Sequence, residues 1–163
     1  MRANNLLEKY ITPEEMVLLH LYSFYRVKER FEAPVNMTCF GMARQFKTDQ
    51  TKLLKILKKL KGETLITDFE SYVVGYNEKK IVYCLTEYGQ RLAEEVIKRL
   101  LTIRVKIKYE DGEIIDVPLG DVNIVLGTNF KPIEILMKVS QDGVLDTSQW
   151  QEFAVRRLNM ERM

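Results

Sequence analysis

Apolar side chains recur every three or four positions after residue 13. Val17, Leu18, Leu21, Phe24 and Tyr25 make one stripe, which predicts a helix running to about Phe31. Its start is written in Thr12-Pro13-Glu14-Glu15: a hydroxyl at the N-cap, proline at the first helical position and a glutamate placed to return to the cap amide. Pro34 stops any continuation. Val35-Asn36-Met37 reads as a short extended stretch, and Thr38 can cap a short helix over Cys39 to Phe46. Lys47-Thr48-Asp49 then offers a turn and a new cap. Leu53, Ile56, Leu57 and Leu60 form the core stripe of a third helix, about 49–61, with Gly62 placed to end it in a left-handed conformation. Two short helices joined by a few polar residues make a helix-turn-helix pattern.

Past Gly62 the period drops to two. Residues 65–73 and 80–86 read as two strands joined by a tip that holds Gly75 and Asn77, so 65–86 is a hairpin with a long loop. Thr86 caps a fourth helix with Tyr88, Leu92, Val96 and Leu100 on one stripe. Alternation returns at Ile103, Val105, Ile107 and Tyr109. An Asp111-Gly112 turn leads to Ile114-Ile115-Asp116-Val117-Pro118, a second hairpin that ends at its proline. A loop or short helix over 119–129 follows, then a helix from about Pro132 to Ser140. A last helix starts near Thr147-Ser148 and carries Trp150, Phe153, Ala154 and Leu158 on one side.

Composition narrows the function. With 163 residues, 46% of them hydrophobic and 29% charged, the chain can fill a real core and is not a disordered or low-complexity sequence. The start is polar and no apolar run approaches the roughly 18 residues that cross a bilayer, so no membrane partner and a cytoplasmic protein are expected. Cys39 and Cys84 stand far apart, as two reduced thiols. His20, the only histidine, sits in an apolar run as a half-buried helix residue. One histidine and no cysteine cluster leave no material for a metal site or a histidine-based triad, and no phosphate-binding glycine motif or nucleophile elbow occurs. A non-enzyme with no cofactor and no metal is expected.

Charge matters once it is divided along the chain. The net charge is +2, yet residues 39–61 carry seven basic side chains, Arg44, Lys47, Lys52, Lys55, Lys58, Lys59 and Lys61, against the single acid Asp49. Residues 102–163 carry 8 Lys and Arg against 10 Asp and Glu. An anionic partner is therefore expected at the third helix and not at the C-terminal segment.

Helix, short strand, helix-turn-helix, hairpin and closing helix follow one another in the order of a winged helix. Leu57-Lys58-Lys59-Leu60-Lys61-Gly62-Glu63-Thr64-Leu65-Ile66 resembles the end of the recognition helix and the start of the wing in MarR-like regulators. Tyr83-Cys84-Leu85-Thr86-Glu87-Tyr88-Gly89 resembles the Y-x-L-T-x-x-G passage by which many of them, archaeal ones especially, leave the wing. The resemblance covers about residues 11–101. It implies a DNA-binding transcriptional regulator, dimeric, with the third helix in the major groove and hairpin 65–86 as the wing. In that frame Gln50 and Thr51 are candidates to read base edges. Arg44, Lys52, Lys55, Lys58 and Lys59, with Lys79 and Lys80 of the wing, are candidates to hold double-stranded DNA.

Three features depart from the family pattern. Leu54 projects near the DNA face, the wing is net −1, and the recognition face has no arginine for a bidentate guanine contact. They keep open the alternative of a winged-helix protein-interaction or scaffold module. The expected fold class is α+β, a winged helix-turn-helix domain at 1–101 followed by a small hairpin-plus-helices segment at 102–163. That segment is expected to dock on the first domain, mediate dimerisation, contact another protein or begin a larger effector module. Trp150, Phe153 and Leu158 are its candidate partner interface.

Overall fold

The structure, a computed structural model, describes residues 5–24 and 32–149. It is mixed α and β, and its residues group into two units. One takes Thr12–Val96; the other joins residues 5–11 to those from Ile97 onward. The N-terminal helix α1 (Asn5–Tyr10) thus belongs with the C-terminal unit, where the Arg99 guanidinium donates to the Tyr10 carbonyl at 2.8 Å. Nothing in the apolar pattern announces this pairing.

In the first unit α2 (Pro13–Tyr22) begins with the expected capping box. Thr12 Oγ1 accepts from the Glu15 amide at 3.1 Å, and the Thr12 amide donates to Glu15 Oε1 at 3.0 Å. This arrangement serves the fold, so Thr12→Ala should lower stability by about 0.5 to 2 kcal/mol, measured by urea denaturation, and leave the ligand affinity of the folded protein unchanged. The helix closes at Tyr22, short of the expected Phe31. Ser23 takes the C-cap: its amide donates to the His20 carbonyl, the Phe24 amide to that of Leu21, and the Ser23 hydroxyl to the Leu19 carbonyl, a competition with the helical ladder that serine favours. Residues 25–31 lie outside the described residues.

The two-residue strand β1 (Glu32–Ala33) leads into Val35–Met37, which forms a 3-10 turn and not the extended stretch expected. Pro34, preset at φ −61°, accepts from the Met37 amide, and the Val35 carbonyl takes both the amide and the hydroxyl of Thr38. Helices α3 (Cys39–Phe46) and α4 (Gln50–Gly62) follow, then β2 (Ile66–Val73) and β3 (Lys79–Leu85), antiparallel in the register Phe69↔Val82. β1 lies parallel to β2 on its outer edge, while Thr38 bridges to Val82 on the outer edge of β3. The segment between them crosses one face of the hairpin, where Ala33 and Met37 pack with Val73, Val82 and Cys84.

Helix α5 (Glu87–Leu101) corrects one expectation. Tyr88 is 60% exposed, and the buried line runs through Gly89, Ala93, Val96 and Leu100. The cause is a close approach. A Cβ at Gly89 would stand 1.9 Å from the Leu65 carbonyl oxygen. Around it the Thr86 hydroxyl accepts from the Gly89 amide at 3.0 Å and donates to the Thr64 carbonyl at 2.6 Å. The Y-x-L-T-x-x-G passage is therefore a packing device that seats the helix on the turn before the wing.

In the second unit β4 (Arg104–Lys108) pairs antiparallel with β5 (Ile114–Pro118) and parallel with β6 (Val144–Asp146), giving the order β5-β4-β6. Gly112 adopts φ +88° in the expected Asp-Gly turn. Val105, Ile107 and Tyr109 are buried, as are Val122 and Leu126 of α6 (Val122–Leu126) and Ile135 and Leu136 of α7 (Pro132–Lys138). Thr147–Gln149 is a 3-10 turn. The candidate interface residues Trp150, Phe153 and Leu158 lie outside the described residues. Among the described residues no helix is long and apolar enough to cross a membrane.

Candidate nucleic-acid interface

Helices α3 and α4 are set by two left-handed residues that are not glycine. Lys47, at φ 55°, closes α3, and Thr48 donates back to the Ala43 carbonyl at 3.0 Å. Asp49 caps α4 through the Lys52 amide at 2.8 Å. At the far end Gly62 does not supply the expected left-handed stop. It stays within the helix, and Thr64 takes φ 60°, with Leu65 donating to Leu60 and Thr64 to Lys61 at 3.0 Å each. A β-branched residue is strained in that region. Thr64→Gly should therefore raise the midpoint of thermal unfolding, corresponding to about 1 kcal/mol, and a fall would contradict this description.

Gly41 brings α3 against the 3-10 turn: a Cβ there would stand 2.0 Å from the Val35 carbonyl oxygen. His20 braces the same turn. Its Nε2 lies 2.7 Å from the Asn36 carbonyl, and its ring stacks edge-on to Phe46 at 5.1 Å. The half-buried, partnered histidine expected from sequence is what the structure contains.

With Leu53, Leu57 and Leu60 each 1% exposed, α4 presents Gln50, Thr51, Lys52, Leu54, Lys55, Lys58 and Lys59 outward. The lysines differ in their partners. Lys59 pairs with Glu14 of α2 at 3.4 Å, and Lys61 with Asp68 of β2 at 3.0 Å. Lys52, Lys55 and Lys58 have no ion pair among the described residues. The C-terminal half of the helix is thus tied on both flanks, and three ammonium groups remain on its outer face.

On α3 and the wing, cations lie over aromatic rings that the sequence reading did not single out. Arg44 lies over Phe40 at 5.4 Å, Lys79 over Tyr72 at 5.3 Å and Lys80 over Tyr76 at 5.3 Å. Tyr72 and Lys79 are cross-strand partners, so their side chains share a face of the wing. The signal was present in the four-residue spacing of Phe40 with Arg44 and of Tyr76 with Lys80, which brings each ring beneath a cation. Between the starts of α3 and α4 and the wing lies a groove of about 390 Å³, lined among others by Cys39, Phe40, Gln50, Tyr76, Lys80 and Ile81. Burial pushes the Cys39 thiol up from its ordinary range. Cys39 is therefore protonated near neutral pH and a poor nucleophile.

Element order, the helix-turn-helix and the strand register together define a winged helix. No family model and no curated protein matches the chain. Solved structures similar to it include the DNA complex of MepR from S. aureus, 21% identical over 57% of this chain and 61% of that one, with a TM-score of 0.39. A MepR mutant from a multidrug resistant clinical isolate gives 20% identity, 58% and 62% coverage and a TM-score of 0.40. A second such mutant gives 12% identity over 98% and 86%, at 0.38. MepR is a MarR-family winged-helix regulator, the family the two sequence motifs resemble. In the first of these matches the chain spans about three fifths of MepR.

Proposed function

We propose that the chain is a transcriptional regulator of winged-helix type that binds duplex DNA, with α4 in the major groove and the β2–β3 wing along the neighbouring backbone. The observation that carries this reading is the division of the lysines. Lys59 and Lys61 tie α4 to its neighbours, while Lys52, Lys55 and Lys58 line its exposed face beside Gln50 and Thr51. Ammonium groups suit phosphates, and amide and hydroxyl groups at the helix start suit base edges. Arg44, Lys79 and Lys80, each over an aromatic ring, extend the cationic surface to α3 and the wing tip.

The test is a salt titration of full-chain binding to random-sequence duplex DNA. Log affinity should fall linearly with log salt concentration at a slope of several units. A flat dependence would favour a protein-interaction module. The groove at Phe40, Tyr76 and Ile81, the last 53% exposed, supports that second reading.

For the C-terminal unit the proposed role is self-association. Ile114, Ile124 and Met137 are exposed there, Ile124 by 78%, and the segment's negative balance makes it a poor second DNA surface. A dimer that binds successive major grooves needs its two α4 helices about 34 Å apart, one turn of DNA, and that spacing separates the DNA-binding reading from the protein-interaction one.

A further inference from the structure

We infer that Leu54 is a specificity-determining residue that reads the 5-methyl group of thymine, so that the regulator prefers sites with thymine opposite the middle of α4. The inference rests on the DNA-binding reading above and deepens it. Gln50, Leu54 and Lys58 follow one another at four-residue spacing along α4, with Thr51 and Lys55 beside them, and all five are exposed. Leu54 is 38% exposed, while its neighbour Leu53 is 1% exposed. It therefore does not serve the core as its neighbour does. It lies in the row that would meet the groove floor.

The chemistry of that row selects the base. Over Gln50–Gly62 there is no arginine, asparagine, aspartate or glutamate. The guanidinium fork that recognises guanine O6 and N7 is missing, and so is a carboxylate to accept from cytosine N4. Lysine reaches guanine only as a point charge without a fork. What remains is Gln50, whose amide matches adenine N6 and N7, and the two apolar surfaces of Leu54 and the Thr51 methyl. In the major groove the one apolar feature of any base edge is the thymine methyl. A leucine set there leaves water when it meets that methyl, and buries less against guanine, adenine or cytosine, whose edges lack it. One buried methyl-sized group is worth about 0.8 kcal/mol, which is about fourfold in affinity.

The experiment uses the full chain and a duplex selected by it from a random library. Each thymine is then replaced in turn by deoxyuridine, which removes the methyl group and keeps every hydrogen-bonding atom. The expected result is one or two positions at which deoxyuridine weakens the wild type about fourfold each, while Leu54→Ala binds thymine and deoxyuridine duplexes alike. Thr51→Ser, which removes only a methyl group, should retain the deoxyuridine effect at those positions. If wild type and Leu54→Ala respond alike to every deoxyuridine, or if the effect disappears in Thr51→Ser and persists in Leu54→Ala, the assignment to Leu54 is overturned while DNA binding stands. If no duplex is retained from the library and the salt slope is flat, the DNA-binding reading fails and this inference with it.

Discussion

Replacing Lys52, Lys55 and Lys58 together with alanine should reduce the magnitude of the logarithmic salt slope of DNA binding by about 2.7, or about 0.9 for each phosphate released. Folding should be unharmed. All three side chains are exposed without an ion pair among the described residues, and alanine is at least as good a helix former as lysine. Lys59→Ala is the informative comparison. Its ammonium already faces Glu14 at 3.4 Å, so its removal frees a carboxylate near the site and takes less from the slope than a lysine engaged with phosphate. Gln50→Ala should behave differently from both, relaxing sequence preference more than it weakens binding to random DNA. The measurement is affinity across a salt series for each variant at matched stability. A triple variant with the wild-type slope would remove this face from consideration as the DNA site.

Gly89→Ala and Gly41→Ala should each destabilise the protein by about 3 kcal/mol, at the upper end of the usual cost of overpacking. On helix propensity alone both changes would stabilise, by roughly 1 kcal/mol each. Contact decides the sign. The new methyl would meet backbone carbonyls, Leu65 in one case and Val35 in the other, at about 2 Å, and neither carbonyl can move without displacing the turn it belongs to. Gly62 provides the control. Nothing lies within 4 Å of its added Cβ, so Gly62→Ala should gain about 0.4 to 1 kcal/mol. Chemical denaturation of the three variants separates these outcomes, and a Gly89→Ala protein as stable as the wild type would refute the close approach.

The order of elements through the first unit was legible because each boundary carries its own local chemistry. Thr12 with Glu15, Thr38 and Asp49 announce helix starts by side-chain bonds to amides a few residues away, and such bonds need no knowledge of the rest of the chain. Distant approaches were not legible. Tyr88 fits the apolar period of α5 better than Gly89, yet the helix turns its glycine inward because the Leu65 carbonyl lies there. Thr64 likewise takes the left-handed position that Gly62 was expected to fill. The ladder from Leu65 to Leu60 fixes the stop two residues later, and residue type alone points to the glycine. At the candidate interface the cationic face could be counted from sequence. Which lysines are already engaged could not, since Glu14 comes from a helix 45 residues away and Asp68 from a strand whose position beside Lys61 depends on the turn at Thr64. Tyr72 and Tyr76 were missed for a simpler reason: charge was read without the rings that hold it.

The strap from Glu32 to Thr38 has a bearing on how the protein survives in a crowded solution. A two-stranded hairpin exposes two rows of unpaired backbone groups, each a template on which another chain can add a strand. Here one short segment covers part of each side, bonding to β2 at Tyr72 and Val73 and to β3 at Val82. A neighbouring molecule therefore finds the β2 edge shortened to residues 66–71 and the β3 edge interrupted at Val82. Loosening the Pro34 turn would lengthen the free edge on both strands and so widen the surface on which another chain can add a strand.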